Sequence, residues 1–344
     1  MDKQSETNVW ACEPTKWGVA IYSVIVPAIS VLGVVGNTLI LAVLSGNSLK
    51  ASTYTYLAVL AGADLVTCAL LIFSGLARGI FWGKQGWIEF DAFIHLPVGS
   101  VSSNIAVWAA VCVTLDRLVV VSGCKPPKFC NDIIARKVMM CSALFAIVCN
   151  IPYCFIYTYN EEGFPVSINS YFRFYTMQNW FQLVIFGLVP AVFLLVGNVV
   201  MCVAVRRVIK HRQLLLQRKF TREGNCLQDQ VRLTITLVGI VFMFLVGEVP
   251  THLASRRSAV SILYGGDASF RIIATLLNAI SSSANFILYC LLSPQFLMYL
   301  KLLMTRERML AHQEHRLRIA TIDLNMIESK ETMYNSPRCR SAVF

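Results

Sequence analysis

Long hydrophobic runs alternate with short polar segments along this chain of 344 residues. A continuous apolar helix of about 20 residues can cross the ~30 Å hydrocarbon layer of a bilayer. The runs are continuously apolar and do not alternate with polar residues, which excludes a membrane β-barrel. The pattern therefore predicts an all-α membrane protein, a seven-transmembrane helix bundle. Its predicted spans are Val19–Leu44, Tyr56–Ile80, Phe93–Val121, Val138–Tyr157, Met177–Val205, Leu233–Leu253 and Ile272–Leu292.

The third predicted span carries small residues at every third or fourth position. This spacing places them on one face of a helix, where neighbouring backbones can approach closely. The span ends in the charged pair Asp116–Arg117. We expect a central helix whose tip carries a switch, or else a local ion pair that marks the membrane edge. The small residues are Gly99, Ser102, Ser103, Ala106, Ala109 and Ala110.

The polar segments define the remaining organisation. Residues 206–232 continue the apolar face of the fifth helix until Gly224–Asn225, where we expect a break. After the seventh span, apolar residues recur at helical spacing among basic ones, which predicts a short amphipathic eighth helix on the inner membrane face. The domains are then an extracellular N-terminus (1–16), a transmembrane domain with the eighth helix (17–305) and a disordered cytoplasmic tail (306–344).

Composition agrees with this class. The chain is 56% hydrophobic and 14% charged, whereas a soluble domain carries about a quarter charged residues. Residues 1–16 are polar, and the first apolar run is longer than the core of a cleavable signal peptide, so we expect a signal-anchor helix. Most of the twelve cysteines lie inside apolar runs, and none has metal-ligand spacing. We expect no cofactor and no metal centre.

The net charge of +11 is unevenly distributed. Lys and Arg concentrate in 122–137, in 206–232 and in the tail after Leu292. Positive residues favour the cytoplasmic side, so the N-terminus is predicted outside and the C-terminus inside, in the cell membrane. The basic segments can contact anionic membrane lipid. Nucleic acid is not an expected partner.

Polar and proline motifs occur in the predicted spans in a fixed order. Together they resemble a rhodopsin-like G-protein-coupled receptor over about residues 17 to 305. This resemblance implies a signalling receptor that couples an outer ligand to a heterotrimeric G protein. The motifs are Gly36–Asn37, Leu57-Ala58 with Ala63-Asp64-Leu65, Asp116–Arg117, Pro190, Pro250 and Asn285-Phe286-Ile287-Leu288-Tyr289.

Two segments narrow the resemblance. Gly247-Glu248-Val249-Pro250 and Asn285-Phe286 with Tyr289-Cys290 are similar to FMRFamide- and myosuppressin-type neuropeptide receptors of invertebrates. They are also similar to divergent nematode receptors, some of them assigned to chemosensation. The first expectation is an extracellular amidated peptide as ligand; the alternative is a small chemosensory molecule.

Several positions depart from the usual pattern of this receptor family. Leu118 replaces the Tyr after Arg117, and Gln230 replaces the acidic partner of that arginine. Ala92 replaces the third-helix cysteine, so the usual outer disulfide is absent, and Cys12 with Cys154 is a possible substitute. Further departures are Phe286 for Pro in the seventh helix, Glu248 for Trp and Gly247 for Cys in the sixth, and Ala143 for Trp in the fourth.

Asp64 is an ionisable residue in the middle of a span, so it should face the bundle interior and have a polar partner. We expect a polar core, which the resemblance makes sodium-linked; the alternative is a static hydrogen-bond network. The expected core residues are Asn37, Asp64, Ser281, Ser282 and Asn285. The expected activation switch consists of Asp116, Arg117, Asn285, Tyr289 and the helix hinge at Pro250.

A buried carboxylate at Glu248 is costly unless it is paired or protonated. It either bonds a neighbouring helix or lines a ligand pocket and accepts a cationic group. Aromatic residues concentrate in 153–181 and form either the mouth of this pocket or an interfacial belt. Ala279 in place of a Schiff-base lysine argues against retinal, and Gly99 in place of an aspartate argues against an amine. The predicted ligand-binding residues are Glu248, His95, Gly99, Ser103 and Trp180.

Two other classes of membrane protein fit the sequence less well than a receptor. A small transporter or channel would need an inverted repeat, a pair of broken helices or a ring of charges, and the sequence has none of these. An intramembrane enzyme would need a catalytic set inside the spans. Asp64 and Glu248 lie on different helices at different predicted depths, so no such set exists and no enzymatic activity is expected.

Overall fold

The computed structural model describes residues 15–45, 52–121, 131–159, 165–167, 172–217, 221–255, 268–293 and 296–305. In these residues seven helices are long and apolar enough to cross a membrane, which confirms the predicted helix count and a multi-pass membrane protein. The predicted N-terminal segment before residue 15, the tail 306–344 and Cys12 lie outside the described residues.

The seven helices are numbered in chain order. Helix α1 consists of Lys16–Ala20, Ile21–Ile25 and Val26–Leu44, and α2 is Ser52–Arg78. Helix α3 consists of Gln85–Glu89, Phe90–His95 and Leu96–Val121, and α4 is Asp132–Asn150 with the 3₁₀ turn Ile151–Phe155. Helix α5 consists of Phe172–Gln182, Leu183–Leu188 and Val189–Gln217, α6 is Thr221–Ser255, and α7 is Ala268–Leu292.

A further short apolar helix, α8, covers Phe296–Thr305, which agrees with the predicted eighth helix. It belongs to a structural unit separate from the seven-helix unit, which ends at Pro294. The Thr305 hydroxyl donates to the Lys301 carbonyl one turn earlier.

In the described residues, three helices contain a π-helical turn, and each turn ends two residues before a proline. The turns end at Ile25, His95 and Leu188, and the prolines are Pro27, Pro97 and Pro190. A proline lacks the N–H of a helical bond, and its ring clashes with the carbonyl four residues earlier. A π turn widens the helix at this point and accommodates the ring. His95 is the last residue of the π turn in α3, and Leu183–Leu188 is the π turn of α5. Both helices contribute to the candidate site.

Helix α3 is the central helix of the bundle. It contacts α2, α4, α5 and α6. Of the predicted stripe of small residues, all but the half-buried Gly99 are buried. The spacing of small residues therefore identified the face of α3 that packs against its neighbours.

Glycines allow α7 to approach two other helices closely. A Cβ atom added at Gly36 on α1 would lie 2.8 Å from the Phe286 Cβ atom. One added at Gly247 on α6 would lie 2.3 Å from the Ser281 Cβ atom. Phe286 and Gly247 both depart from the usual family residues, and here they lie in tight helix–helix contacts.

The structure differs from the sequence prediction in the segment between α5 and α6 and in the segment after α4. Helix α5 ends at Gln217, and the new helix α6 begins at Thr221 and continues through Gly224–Asn225, so the predicted break there is wrong. A glycine in a helix interior costs only about 1 kcal/mol, which a long helix can absorb. The strands β1 (Tyr157–Tyr159) and β2 (Pro165–Ser167) form an antiparallel pair that the sequence analysis did not predict.

Candidate functional site

The buried polar side chains in the described part of the chain include four clusters and the Asp116–Arg117 pair. Three of the clusters and the pair contain residues of α3. We call the end of α3 that contains Asp91 the Asp91 end and the end that contains Arg117 the Arg117 end. About 26 helical residues at 1.5 Å each separate them, or about 39 Å.

Asp91 is the centre of the first cluster. Its buried carboxylate accepts a hydrogen bond of 2.9 Å from the Arg78 guanidinium Nε and one of 2.6 Å from the Ser74 hydroxyl. His95 Nδ1 lies 3.0 Å from Asp91 Oδ1. The cluster joins α2 to the π turn of α3. His95 was a predicted ligand residue, whereas Asp91 was not singled out by the sequence analysis, although a carboxylate within a mostly apolar helix was a usable signal.

An aromatic contact lies near this end of α3. The Phe93 ring packs against the rings of Tyr157 and Tyr159 on β1, with ring centroids 6.3 and 5.5 Å apart. Tyr153 donates a hydrogen bond of 2.8 Å to Asn179 on α5. Part of the aromatic segment 153–181 therefore packs onto α3 and α5.

Glu248 on α6 is the centre of the second cluster. Its buried carboxylate accepts a hydrogen bond of 2.6 Å from the Ser103 hydroxyl on α3. His252, one turn further along α6, has its Nε2 atom 3.5 Å from the same carboxylate oxygen and 3.3 Å from the Ser103 hydroxyl. The structure thus brings together two predicted ligand residues and adds His252, which the sequence analysis missed.

Glu248 and His252 line a narrow crevice between α3, α5 and α6. The other lining residues are apolar apart from glycine and proline positions, and include Val107, Phe186 and Phe244. The crevice has room for about one water molecule. Gly99 and His95 lie further along α3 toward the Asp91 end, outside this lining. Trp180 on α5 does not line the crevice either, and its side chain is 40% exposed.

A third polar cluster joins α3, α4 and α5 and was also missed. The buried Gln182 side chain accepts a hydrogen bond of 3.0 Å from Asn104. It donates to the Cys149 carbonyl at 2.8 Å and to Asn150 Oδ1 at 3.3 Å. Three amide side chains within apolar spans were the available signal, because such residues in membrane helices bond across to neighbouring helices.

The predicted polar core is the fourth cluster. Asn285 on α7 donates a hydrogen bond of 2.7 Å to the Asp64 carboxylate on α2. Asn37 on α1 donates to the Ser282 carbonyl at 2.9 Å. The structure therefore links four of the five predicted residues in α1–α7 and α2–α7 contacts. Ser281 instead donates to the Met243 carbonyl on α6 at 2.8 Å.

The polar core fits a monovalent cation by donor type. Carboxylate and amide oxygens are hard ligands of the kind that sodium prefers. Asp64 supplies a carboxylate, and the buried Asn37 Oδ1 atom has no hydrogen-bond partner in the described residues. Asp64 is the residue of this core that would supply the negative charge for such an ion.

The charged pair lies at the Arg117 end. Arg117 Nη2 is 3.0 Å from Asp116 Oδ2, and both side chains are buried. Ser52 at the start of α2 donates 2.6 Å to Asp116 Oδ1. Thr53 donates to the other carboxylate oxygen and accepts from Arg117. The pair is thus held by the first turn of α2.

Two further residues of the predicted switch are described. Pro250 lies inside α6, which continues to Ser255 without ending. The Thr251 hydroxyl donates 2.8 Å to the Gly247 carbonyl beside it. Tyr289 is buried on α7, one turn after Asn285. Gln230 lies in α6, and its side chain is outside the described part of the structure. Cys154 is exposed and carries a free thiol.

No protein-family model matches the chain. It is 23% identical to the Sex peptide receptor of Drosophila melanogaster over 84% of this chain and 73% of that protein. It is 24% identical to the FMRFamide receptor of the same organism over 84% of this chain, but spans only 54% of that protein.

A third relative comes from a nematode. The chain is 23% identical to the Caenorhabditis elegans protein named Probable G-protein coupled receptor frpr-1, over 83% of this chain and 79% of that protein. The resemblance found in the motifs therefore extends over most of the chain. The three relatives, all named as receptors, come from an insect and a nematode.

Proposed function

We propose that this chain is a G-protein-coupled receptor for an extracellular peptide, with the Asp91 end outside and the Arg117 end in the cytoplasm. The observation that carries the proposal is the buried Asp116–Arg117 pair held by Ser52 and Thr53. The arginine is sequestered in this conformation. A movement of α3 relative to α2 would free it, and basic segments concentrate on the same side of the predicted membrane.

We propose that Glu248 binds a charged group of the ligand. Its carboxylate lies in an apolar crevice, accepts a hydrogen bond from Ser103 and lies 3.5 Å from His252 Nε2. A guanidinium could replace the Ser103 bond and engage both carboxylate oxygens. The names of two relatives, FMRFamide receptor and Sex peptide receptor, support a peptide as the source of this group.

Signal transfer would follow α6. The crevice is narrow, so we expect α5 and α6 to separate when a guanidinium enters it. Pro250 removes one backbone hydrogen bond two residues after Glu248. Ligand entry at Glu248 would therefore bend α6 at its weakest point and move its half nearer the Arg117 end, where a G protein would bind.

The size of the crevice also favours a second candidate. A small chemosensory molecule would need less separation of α5 and α6 than a peptide. Both candidates use the same pair at the Arg117 end, so they differ in the ligand and not in the signalling step.

The test is a signalling assay on the full chain in transfected cells. A library of amidated peptides that includes Phe-Met-Arg-Phe-amide is screened with calcium and cAMP readouts, with surface expression measured by an N-terminal tag. We expect a dose-dependent response to one or more amidated peptides. A surface-expressed receptor that responds to no peptide but does respond to a small-molecule panel would support the second candidate. Surface detection of the C-terminus and not the N-terminus would contradict the orientation.

A further inference from the structure

We propose that His95, oriented by Asp91, presents its Nε2 atom beside Gly99 as a hydrogen-bond acceptor for an N–H group of the ligand. The terminal carboxamide of an amidated peptide is such a group. The inference rests on the proposed receptor function. It assigns His95 a role in specificity and makes Asp91, Arg78 and Ser74 positioning residues.

The first step is the charge balance around Asp91. The Arg78 guanidinium donates to Oδ2 at 2.9 Å, and the Ser74 hydroxyl donates to Oδ1 at 2.6 Å. The carboxylate is buried, while the Arg78 side chain is 26% exposed. Because Arg78 already compensates the negative charge, the carboxylate does not require a second cation. The two bonds fix the carboxylate in one orientation relative to α2.

The second step concerns the proton on His95 Nδ1. This atom lies 3.0 Å from Asp91 Oδ1 and 3.4 Å from the Ser74 hydroxyl oxygen. A serine hydroxyl has one hydrogen, and that of Ser74 is directed at Asp91. Nδ1 therefore faces two oxygen acceptors and must carry a hydrogen itself. In the neutral ring the lone pair is then on Nε2, because the bond at one ring nitrogen sets the state of the other.

The third step is the position of Nε2. A Cβ atom placed at Gly99, one turn along α3, would lie 3.9 Å from both His95 Nε2 and Cδ2 and 3.9 Å from Leu70. The absence of a side chain at Gly99 leaves space beside this edge of the ring. In the described residues no group hydrogen-bonds Nε2, and the ring is 17% exposed. A ligand N–H group could reach it there.

The arrangement also fits the proposed path of the ligand. His95, Gly99 and Ser103 are spaced four residues apart, so they follow one face of α3. Ser103 is the residue that bonds Glu248. A ligand with an N–H group at His95 and a cationic group at Glu248 would lie along this face, about two helical turns or ~12 Å in length.

The tautomer can be tested without any ligand. The purified full chain is labelled with ¹⁵N-histidine, and the ring nitrogens are observed by NMR, with His95→Phe identifying the His95 signals. We expect the hydrogen on Nδ1 and the lone pair on Nε2. In Asp91→Asn that preference should weaken, whereas Asp132→Asn, another carboxylate bonded to an arginine and a threonine, should leave it unchanged. A His95 ring with a hydrogen on Nε2, alone or together with one on Nδ1, overturns the proposal.

The ligand contact is tested with a pair of peptides. Phe-Met-Arg-Phe-amide and the same peptide with a terminal N,N-dimethylamide differ in the N–H groups. We expect the wild type to prefer the primary amide about tenfold, or about 1.4 kcal/mol. His95→Phe and Asp91→Asn should reduce the preference below about twofold, and Asp132→Asn should keep it. An unchanged preference in His95→Phe overturns the inference. A wild type that answers neither peptide counts against the proposed function, and the NMR result then decides the assignment of His95.

Discussion

Ser52, the first residue of α2, donates a hydrogen bond of 2.6 Å to Asp116 on α3. Thr53 bonds both Asp116 and Arg117. The charged pair is therefore part of a contact between two helices. The first turn of α2 therefore stabilises the buried Asp116–Arg117 pair, because hydrogen bonds to a buried charge are worth roughly 1.5–3 kcal/mol each.

Removal of these two hydroxyls should raise ligand-free signalling. In the double variant Ser52→Ala, Thr53→Val, Arg117 loses a partner and Asp116 loses two donors, so conformations with a free Arg117 gain population. We expect basal signalling to rise about tenfold or more, since 1.4 kcal/mol corresponds to a factor of ten. Thr55→Val is the control, because Thr55 lies on the same turn but bonds Asp132. Equal basal signalling in all three receptors would contradict the role of α2.

Arg117 itself should be needed for signalling and not for ligand binding. Arg117→Ala removes the group that we propose to engage the G protein, about 39 Å from the Asp91 end. We expect loss of the response with unchanged surface expression and ligand affinity. Arg136→Ala is the matched control, because Arg136 also pairs with an aspartate, but its side chain is 70% exposed. Full signalling by Arg117→Ala would overturn the assignment.

Asp64→Asn distinguishes a sodium-linked core from a static network. An asparagine retains the size of Asp64 and can still bond Asn285, but it removes the negative charge that a cation requires. We expect sodium to weaken agonist binding in the wild type and to have little effect in the variant, with thermal stability nearly unchanged. Agonist binding that is insensitive to sodium in both forms would favour the static network.

The sequence was sufficient for the helices and for the central position of α3. Long apolar runs and a stripe of small residues are strong signals, because a membrane helix must satisfy its backbone internally and pack closely. The helix ends were less predictable. α3 begins at Gln85, ahead of the predicted Phe93. Gly224–Asn225 remains helical because the small cost of a glycine within a helix is outweighed by the long continuous helix around it.

The partners of the polar residues could not be predicted from spacing alone. Asp64 and Asn285 were predicted to belong to one polar core. Ser103 and Glu248 were both predicted to bind the ligand, but His252 was not predicted. A contact between α3 and α6 depends on how two helices rotate about their axes, which the sequence of neither helix determines. The same limit applies to Gln182, Asn104 and Asn150, which meet only once three helices are packed.

Gly247→Ala should destabilise the bundle. The added methyl group would lie 2.3 Å from the Ser281 Cβ atom and 3.1 Å from the Leu277 carbonyl, so α6 and α7 must move apart. Overpacking of this kind costs about 1–3 kcal/mol, and we expect a lower Tm in detergent by several degrees. Gly62→Ala is the control, since an added Cβ there meets nothing within 4 Å. Equal melting temperatures for the two variants would contradict the close α6–α7 contact.

The last prediction separates the two roles open to Glu248. Its carboxylate is bonded to Ser103 and lies near His252. It therefore either stabilises the α3–α6 contact or binds a cationic group of the ligand. Two agonists decide between them: an arginine-containing amidated peptide, and its analogue with neutral citrulline. Glu248→Gln removes the charge and keeps a similar shape.

If Glu248 binds the ligand, the variant should weaken the arginine peptide by about 2–5 kcal/mol, because a buried guanidinium loses its counter-charge. Citrulline carries no charge to lose, so its affinity should change much less. Ser103→Ala serves as a second control, since it removes the internal bond and leaves the carboxylate for the ligand; it should weaken neither peptide strongly. A structural carboxylate predicts the opposite pattern. Glu248→Gln and Ser103→Ala would then reduce receptor stability together, and both peptides would lose affinity to the same extent.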